Sequence, residues 1–432
     1  MKSRNRMKYV NTRIWQSDDS FVFPEQQSSH PDYIGNRKNL GVCFSGGGTR
    51  SAACTHGQLK ALYYAGLIES IGYISCVSGG AWAAVPYTFL EEHWGDSHFF
   101  GEIIEPEELT NEVLSVINKR NYLHTVTHAG ILDDAIENWL KLATDEIYSR
   151  AVGKIFLDHF NLNSRNKLFA YSTNHVKDIL SRNPKLTMDD FYIANPNRPF
   201  VISSAALLRP GRRDYLFEMT PWYSGIHTFY PKQSVDSSDF GGGYIESFAF
   251  DSNAPDSIEQ ATADVRIGSK RHRFTLSDVL GTTGAAPSEV LNNIGLNNIG
   301  FPEFKHWSVR SGFKAKEHEI GDGGNIENIG VLPLIKRNVE KIVAFVNTKK
   351  PLSPNDPKQL NSSIMNLFTP GDVNHIFLKE QLDNLQNGLN AKLADGKATI
   401  FKDSYRVLSN TCLLYTSPSP RDRTRSRMPS SA

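Results

Sequence analysis

Three short stretches of the sequence combine glycine with residues suited to acyl chemistry: SGGGTR at 45–50, CVSGGAW at 76–82 and GDGG at 321–324. In the first, LGVCFSGGGTR passes from an apolar, strand-like run into a helical one through three consecutive glycines. Glycine permits close backbone approach and unusual φ/ψ values. A strand-to-helix turn aims backbone N–H groups and the positive helix end at an anion. Gly46 and Gly48 also fit the first two positions of the dinucleotide fingerprint G-x-G-x-x-G, with Ser51 where the third glycine belongs and Glu69 near the place of a ribose-binding acid. On this loop alone, a nucleotide phosphate and an oxyanion are equally acceptable occupants. Arg50 adds a cation able to hold phosphate in a forked geometry. Its bland alternative is a surface arginine, for which a helix N-terminus is an unfavourable place.

The second stretch, YISCVSGGAWAAV, sets Ser78 between a short apolar strand and a helix, followed by Gly79 and Gly80. A nucleophile elbow projects a serine hydroxyl from such a turn, with small residues two before and two after. Here they are Cys76 and Gly80, so G-x-S-x-G becomes C-x-S-x-G. Taken alone, Ser-Gly-Gly is more often a simple turn, and Cys76 as nucleophile instead would sit on the strand with a buried thiol. In the third stretch Asp322 precedes Gly323 and Gly324, again a common turn. Combination changes the weighing, because the three together supply anion-binding donors, a nucleophile and a base for acyl transfer.

The elements around these stretches alternate. LGVCFS, a helix near 51–65, YISCVS and a helix opening at Gly79 read as βαβα, the order of an α/β fold with a mainly parallel sheet. FVISSAALL at 200–208, YLFEMT at 215–220 and KIVAFVN at 341–347 are further strand candidates. Between 107 and 160 the pattern is helical: Leu109, Val113, Val116 and Ile117 share one face, as do Leu132, Ile136, Trp139, Ala143 and Ile147. These stripes read first as helices covering the sheet, with a helical cap or lid within 95–160 as the alternative. Residues 1–38 read as an extension or wrapping arm, 39–411 as one catalytic domain, and NNIGLNNIG at 292–300 as a surface loop. The last stretch, 412–432, is rich in Ser, Pro and Arg without a period and reads as unstructured. It resembles translated adapter or vector read-through, so the fold is expected to end near Asn410.

The 432 residues are 39% hydrophobic and 22% charged, a balance that fits a globular protein and excludes a fibrous or disordered class. A net charge of +1 provides no overall field toward nucleic acid. No apolar run reaches the roughly 18–20 residues that span a bilayer, and the basic start lacks the apolar stretch of a secretory signal. A cytoplasmic protein, peripheral at membranes, is expected. Cys43, Cys54, Cys76 and Cys412 are too few for a disulfide framework and lack metal-ligand spacing.

SGGGTRSAACTHGQLKALYYAGL followed by YISCVSGGAW resembles the catalytic core of cytosolic phospholipases A2 and fungal-type lysophospholipases (phospholipase B), and DGGNIENIGVLPLIKR resembles the segment that ends that core. The likeness extends to RPFVISSAALL, FEMTPWYSGI and LGTTGAAPSE, covering most of 39–350 in the same order. It implies a three-layer α/β/α sandwich related to patatin. It also implies Ser78 as nucleophile, Asp322 as its partner in a Ser-Asp dyad, Gly47 and Gly48 as oxyanion-hole amides and Arg50 as the cation on the substrate phosphate. The implied substrate is a phospholipid or lysophospholipid at a membrane or micelle surface, with no metal or cofactor. The departures are Cys76 in place of the first elbow glycine and a short N-terminal arm without a calcium-binding module, so calcium-triggered docking is not expected.

Competing readings remain open at this point. A Ser-His-Asp hydrolase needs a histidine, and His375 is the only one after Asp322. A nucleotide binder explains the glycine loop but leaves Ser78 and Asp322 as accidents. An inactive lipid-binding homologue and an acyltransferase complete the set. For lipid contact, RPGRRD at 209–214 offers a basic cluster, with a solvated turn as the plainer reading.

Overall fold

The computed structural model describes residues 9–347 apart from 19, 106–107, 109, 111, 114–120, 125–143, 209–213, 232–238, 268–272 and 286–301. The arginines of RPGRRD, the NNIGLNNIG echo, His375 and the tail at 412–432 lie outside the described residues. So do Leu109, Val116, Ile117, Leu132, Ile136, Trp139 and Ala143 of the helical stripes.

The glycine loop and the elbow sit in a βαβα unit. β2 (Lys38–Phe44) leads into α1 (Gly48–Tyr64), and β3 (Ile71–Val77) into α2 (Gly79–Phe89). The other expected strands are β6 (Phe200–Leu207), β7 (Tyr215–Met219) and β13 (Lys341–Phe345). β1 (Tyr9–Gln16), β8 (Tyr223–Tyr230), β9 (Phe240–Glu246) and β10 (Thr262–Arg266) extend the same sheet, in the order β10-β1-β9-β8-β7-β6-β3-β2-β13. β12 (Lys316–Asp322) also pairs with β6, and β11 (Glu303–His306) pairs with β12. A separate parallel pair joins β4 (Leu168–Ala170) to β5 (Phe191–Ile193).

The fold is α/β, but the sheet is mixed, which corrects the expectation of a mainly parallel one. Only β13-β2-β3-β6 run parallel; the pairs from β6 through β7, β8, β9 and β1 to β10 are antiparallel. The physical reason lies in the connections. Parallel neighbours need a crossover of a dozen residues or more, whereas β7 and β8 are joined by three, Thr220-Pro221-Trp222, which permit only a hairpin. β1 shows the same from the other end of the chain. Its alternating burial tucks Val10, Thr12 and Ile14 inward while it lies between β9 and β10.

Both faces of the parallel half are buried. Val42, Phe44, Ile74, Cys76 and Val201 belong to the core on one side, whereas Cys43, Tyr73, Phe200 and Ile202 pack on the other. That alternation is the two-residue period of a strand, and covering both faces suits near-continuous apolar runs. α2 packs on the first face and is buried along its whole length. Further helices are α3 (Asp96–Phe100), α4 (Thr144–Phe156), α5 (Thr173–Arg182), α6 (Leu276–Gly284) and the short α7 (Leu332–Lys336). The second face is covered by Phe23 and Ile329, and by Leu332 and Leu334 of α7. Ile147, from the second helical stripe, is buried in α4.

Candidate active site

Two strands bring Ser78 and Asp322 together. β3 runs parallel to β6 and stops with Val77 level with Ser204. β7 occupies the opposite edge of β6 from Ser203 to Leu207. β12 therefore takes the edge that β3 has vacated, running antiparallel with Ile320 opposite Leu207 and Asp322 opposite Ala205. The C-terminal ends of β3 and β12 thus face one another across a single residue step of β6. The Ser78 hydroxyl lies beside the Asp322 carboxylate, near enough to pull its pKa down.

Ser78 occupies the turn in a conformation with φ 50° and ψ −126°. A positive φ is unusual for a residue with a side chain, and such strain persists only where the surroundings hold it. Its backbone N–H donates to the Thr283 hydroxyl at 3.0 Å. The glycines after it are required by contact. A Cβ on Gly79 would stand 2.0 Å from the Gly48 carbonyl oxygen, and one on Gly80 2.5 Å from that of Phe44. Side chains at either position would push the elbow and the glycine loop apart. Cys76, in the place of the first elbow glycine, is accommodated because it points into the core, fully buried, with its thiol directed at the Ile202 carbonyl. Burial pushes the Cys76 thiol well up, so it is an inert core residue.

The loop SGGG lies against the elbow, since a Cβ on Gly46 would approach that of Ser78 to 3.0 Å. Gly47 and Gly48 adopt φ values of 145° and 63°, and α1 begins there, so that the N-termini of α1 and α2 both converge on Ser78. Open space adjoins Gly48. Helix N-termini and free backbone N–H groups favour negative charge at such a place. The loop is held by side chains whose part the motifs do not state, among them Asn347 and Gln58. Ser51 donates to the Ser45 carbonyl, and Asn347 joins the two serines: its N–H donates to Ser45 Oγ at 2.7 Å and its Nδ2 to Ser51 Oγ at 2.9 Å. Gln58 Nε2 donates to Asn347 Oδ1 at 2.7 Å. The available signal was positional: Asn347 follows the apolar run of β13, whose Phe345 is level with Phe44, immediately before the loop. On the other side, the Gly46 N–H donates to the Asn328 carbonyl at 3.0 Å, which ties the SGGG loop to the segment after Asp322.

Asp322 is buried, and that burial lifts its carboxyl to about 6, against the downward pull of the Gly324 N–H at 2.7 Å and the Ser78 hydroxyl. A carboxylate raised toward neutrality is a better proton acceptor than one at its usual value of about 3.9. Five residues later, Glu327 turns its carboxylate back onto the N–H groups of Ile329, Gly330 and Val331, which fixes the loop carrying Asn328.

Arg50 is exposed in the first turn of α1, its Nη2 lying 3.4 Å from where a Cβ on Gly47 would stand. It faces the glycine loop, and among the described residues no carboxylate is paired with it. Glu69, by contrast, precedes β3 and so lies at the opposite end of the parallel strands from the loop that follows β2. β3 alone is about 23 Å long at 3.3 Å per residue, so Glu69 cannot reach a nucleotide held at the glycines. Among the described residues no histidine hydrogen-bonds to Ser78 or Asp322, and no group of three or more His, Cys, Asp or Glu side chains is placed to hold a metal ion. Among them also, no helix is long and apolar enough to cross a membrane.

No family model and no curated protein matches this chain. Among solved structures it is similar to human GIVD cytosolic phospholipase A2, at 12% identity over 77% of this chain and 46% of that one, with a TM-score of 0.37. The complex of that human protein with methyl gamma-linolenyl fluorophosphonate gives 12% identity, 68% and 36% coverage and a TM-score of 0.30. VipD from Legionella pneumophila gives 13% identity, 76% and 52% coverage and a TM-score of 0.25. The chain spans less than half the length of the human enzyme. Similarity at this level does not assign it to a family.

Proposed function

We propose that this chain is a serine acyl hydrolase that cleaves fatty-acyl esters of glycerophospholipids or lysophospholipids through a Ser78–Asp322 dyad. The observation that carries the reading is the placing of Ser78, held in a strained elbow, beside a buried carboxylate lifted to about 6, at the ends of two strands registered on β6. In the first half-reaction Asp322 takes the Ser78 proton as Oγ bonds to the ester carbonyl carbon. The amides of Gly47 and Gly48 hold the tetrahedral oxyanion. Collapse breaks the bond to the leaving alkoxide, which departs with the proton from Asp322. In the second, Asp322 takes a proton from water as it attacks the acyl-serine, and Ser78 recovers that proton as the fatty acid leaves. Arg50 holds the substrate phosphate at the mouth of the loop. The same reading includes the patatin-like three-layer arrangement, a lipid-surface substrate and a cytoplasmic location. No metal enters the scheme.

Transfer to an alcohol shares the acyl-enzyme and differs only in the second acceptor. The test is to incubate the protein with defined diacyl and lysophospholipids and identify the acids released. Wild type should liberate fatty acid and Ser78→Ala should not, a loss of the order of 10⁶ for a missing nucleophile. Hydrolysis by Ser78→Ala at the wild-type rate would refute the assignment. Loss of activity in His375→Ala would instead favour a histidine base.

A further inference from the structure

We propose that Thr283 is a positioning residue for this chemistry, its hydroxyl fixing the peptide of Ser78 while Ala285, two residues on, fixes that of Asp322. The inference rests on the proposed dyad.

The N–H of Ser78 leaves the β3–β6 ladder at the elbow and, lying before the first turn of α2, has no intrahelical acceptor. It donates to Thr283 Oγ1 at 3.0 Å. The same hydroxyl donates its own proton to the Ser204 carbonyl at 2.5 Å, and Ser204 is the register partner of Val77. Thr283 is fully buried. One hydroxyl therefore spans the gap where the β3–β6 ladder ends, and it does so beside a residue whose φ of 50° is disfavoured. Without that acceptor, the Ser78 peptide is free to rotate toward a relaxed conformation that carries Oγ away from its base.

The next two residues reach the other half of the dyad. The Ala285 carbonyl accepts from the Asp322 N–H at 2.9 Å. The Gly284 carbonyl accepts from the Tyr148 hydroxyl of α4 at 2.5 Å, and Gly284 is pressed against the Trp82 indole, where a Cβ would come within 2.6 Å. Trp82 Nε1 in turn donates to the Leu280 carbonyl at 3.1 Å. Thr283 and Ala285, at the end of α6, thus hold the backbone of nucleophile and base, and Gly284 between them is braced by Tyr148 of α4 and Trp82 of α2. Misplacement of reacting groups by about 1 Å costs about a hundredfold in rate.

The test compares Thr283→Val, which keeps the shape and removes the hydroxyl, with Thr283→Ser, which keeps both hydrogen bonds. Phospholipid hydrolysis is measured in mixed micelles, with rates expressed per site titrated by an alkyl fluorophosphonate, so that unfolded protein is not counted. Thr283→Val should lose about 10–100-fold in kcat with KM within threefold and an unchanged midpoint of the acid limb, while Thr283→Ser stays within threefold of wild type. A purely structural threonine would lower the melting temperature and leave kcat per titrated site intact. That result, or equal losses in the two variants, would overturn the proposal while leaving the dyad standing. A wild-type protein that neither hydrolyses lipid nor takes the label would instead sink the dyad and this role with it. Should Thr283→Val label too poorly to titrate, the labelling rate itself is read at 10 °C. A rate restored in Thr283→Ser supports the proposal, and one equally slow in both opposes it.

Discussion

Ser78 and Asp322 end two strands that approach one another along the same edge of β6, their partners on that strand being the consecutive residues Ser204 and Ala205 for Val77 and Asp322. Their separation is set by two hydrogen-bond registers to a common strand and not by the length of a loop. Such registers are stiff, since a one-residue slip turns every side chain to the wrong face. The strain at Ser78 is therefore borne by the sheet, by Thr283 and by the close packing of Gly79 on Gly48.

The first prediction concerns pH. As the proposed base, Asp322 would have to be unprotonated to accept the Ser78 proton, and its carboxyl is raised to about 6 because burial disfavours its charge. Hydrolysis should be half-maximal near pH 6 and fall tenfold per unit below it, whereas an exposed carboxylate would place the midpoint near about 3.9. The kcat/KM profile on a neutral ester, which excludes titration of the lipid phosphate, reads this directly. A flat profile down to pH 4 would remove Asp322 from the role of base.

The same displacement has a stability consequence of opposite sign to the usual one. A carboxyl whose folded value is raised favours the folded state below its unfolded value, near 3.8, and that advantage is lost as pH rises through about 6. At pH 8 the buried charge costs up to about 3 kcal/mol. Asp322→Asn removes the charge with little change in shape, so it should abolish hydrolysis yet stabilise the protein at pH 8 by about 1–3 kcal/mol, with the gain vanishing near pH 4. Urea midpoints of both proteins at the two pH values give the comparison. A destabilised Asp322→Asn at pH 8 would show that the carboxylate's hydrogen bonds outweigh its desolvation.

The candidate site is legible in the sequence where its residues carry a local signature. Ser78, Asp322 and the glycine loop stand beside strand-to-turn transitions that glycine marks in the sequence. The motif does not say which way the Cys76 side chain points; on β3 it faces the core and leaves the elbow undisturbed. The helpers were silent for a different reason. Thr283, Asn328 and Asn347 bond to groups far away in the chain, Thr283 to the backbone of Ser78, Asn328 through its carbonyl to the Gly46 N–H and Asn347 to the Ser45 and Ser51 hydroxyls, and a hydrogen bond closed across 200 residues or more has no short-range pattern. The sheet departs from a mainly parallel one because the βαβα pattern of the start does not continue past β6, where the three residues between β7 and β8 permit only a hairpin. β1 was hidden among polar residues, since an edge-proximal strand that buries only every second side chain has little apolar signal.

Arg50 provides a test of substrate class. It faces the glycine loop from the first turn of α1 and has no carboxylate partner among the described residues. A charge-assisted hydrogen bond contributes about 1.5–3 kcal/mol, so Arg50→Ala should lower kcat/KM on a phospholipid roughly 10–100-fold while changing a neutral ester less than threefold. Parallel assays on the two substrates decide it. Equal losses would make Arg50 a structural part of the loop, and equal retention would deny the phosphate a contact there.

Arg337 tests how the N-terminal arm is tied to the sheet. It is fully buried, with Nε bonded to Glu25 at 3.0 Å, Nη1 to Glu218 at 2.8 Å and Nη2 to the Tyr223 hydroxyl at 2.8 Å. Its guanidinium also lies 3.9 Å from the centroid of the Phe23 ring. Glu25 and Phe23 come from the arm, and Glu218 and Tyr223 from β7 and β8, so one cation joins segments distant in sequence. Replacing a buried ion cluster by apolar residues can be neutral, whereas removing one member leaves charge uncompensated at a cost of about 3–5 kcal/mol. Arg337→Met should therefore destabilise the protein by about that amount, because Glu25 and Glu218 are left with Lys336 as the remaining cation, 3.6 Å from Glu218. Adding Glu25→Gln and Glu218→Gln to Arg337→Met should recover much of the loss, since amides need no counter-charge. Denaturant unfolding of the single and triple variants measures both steps. If the triple variant is no more stable than the single, the cluster acts through shape and hydrogen bonding, and charge balance is not what holds the arm.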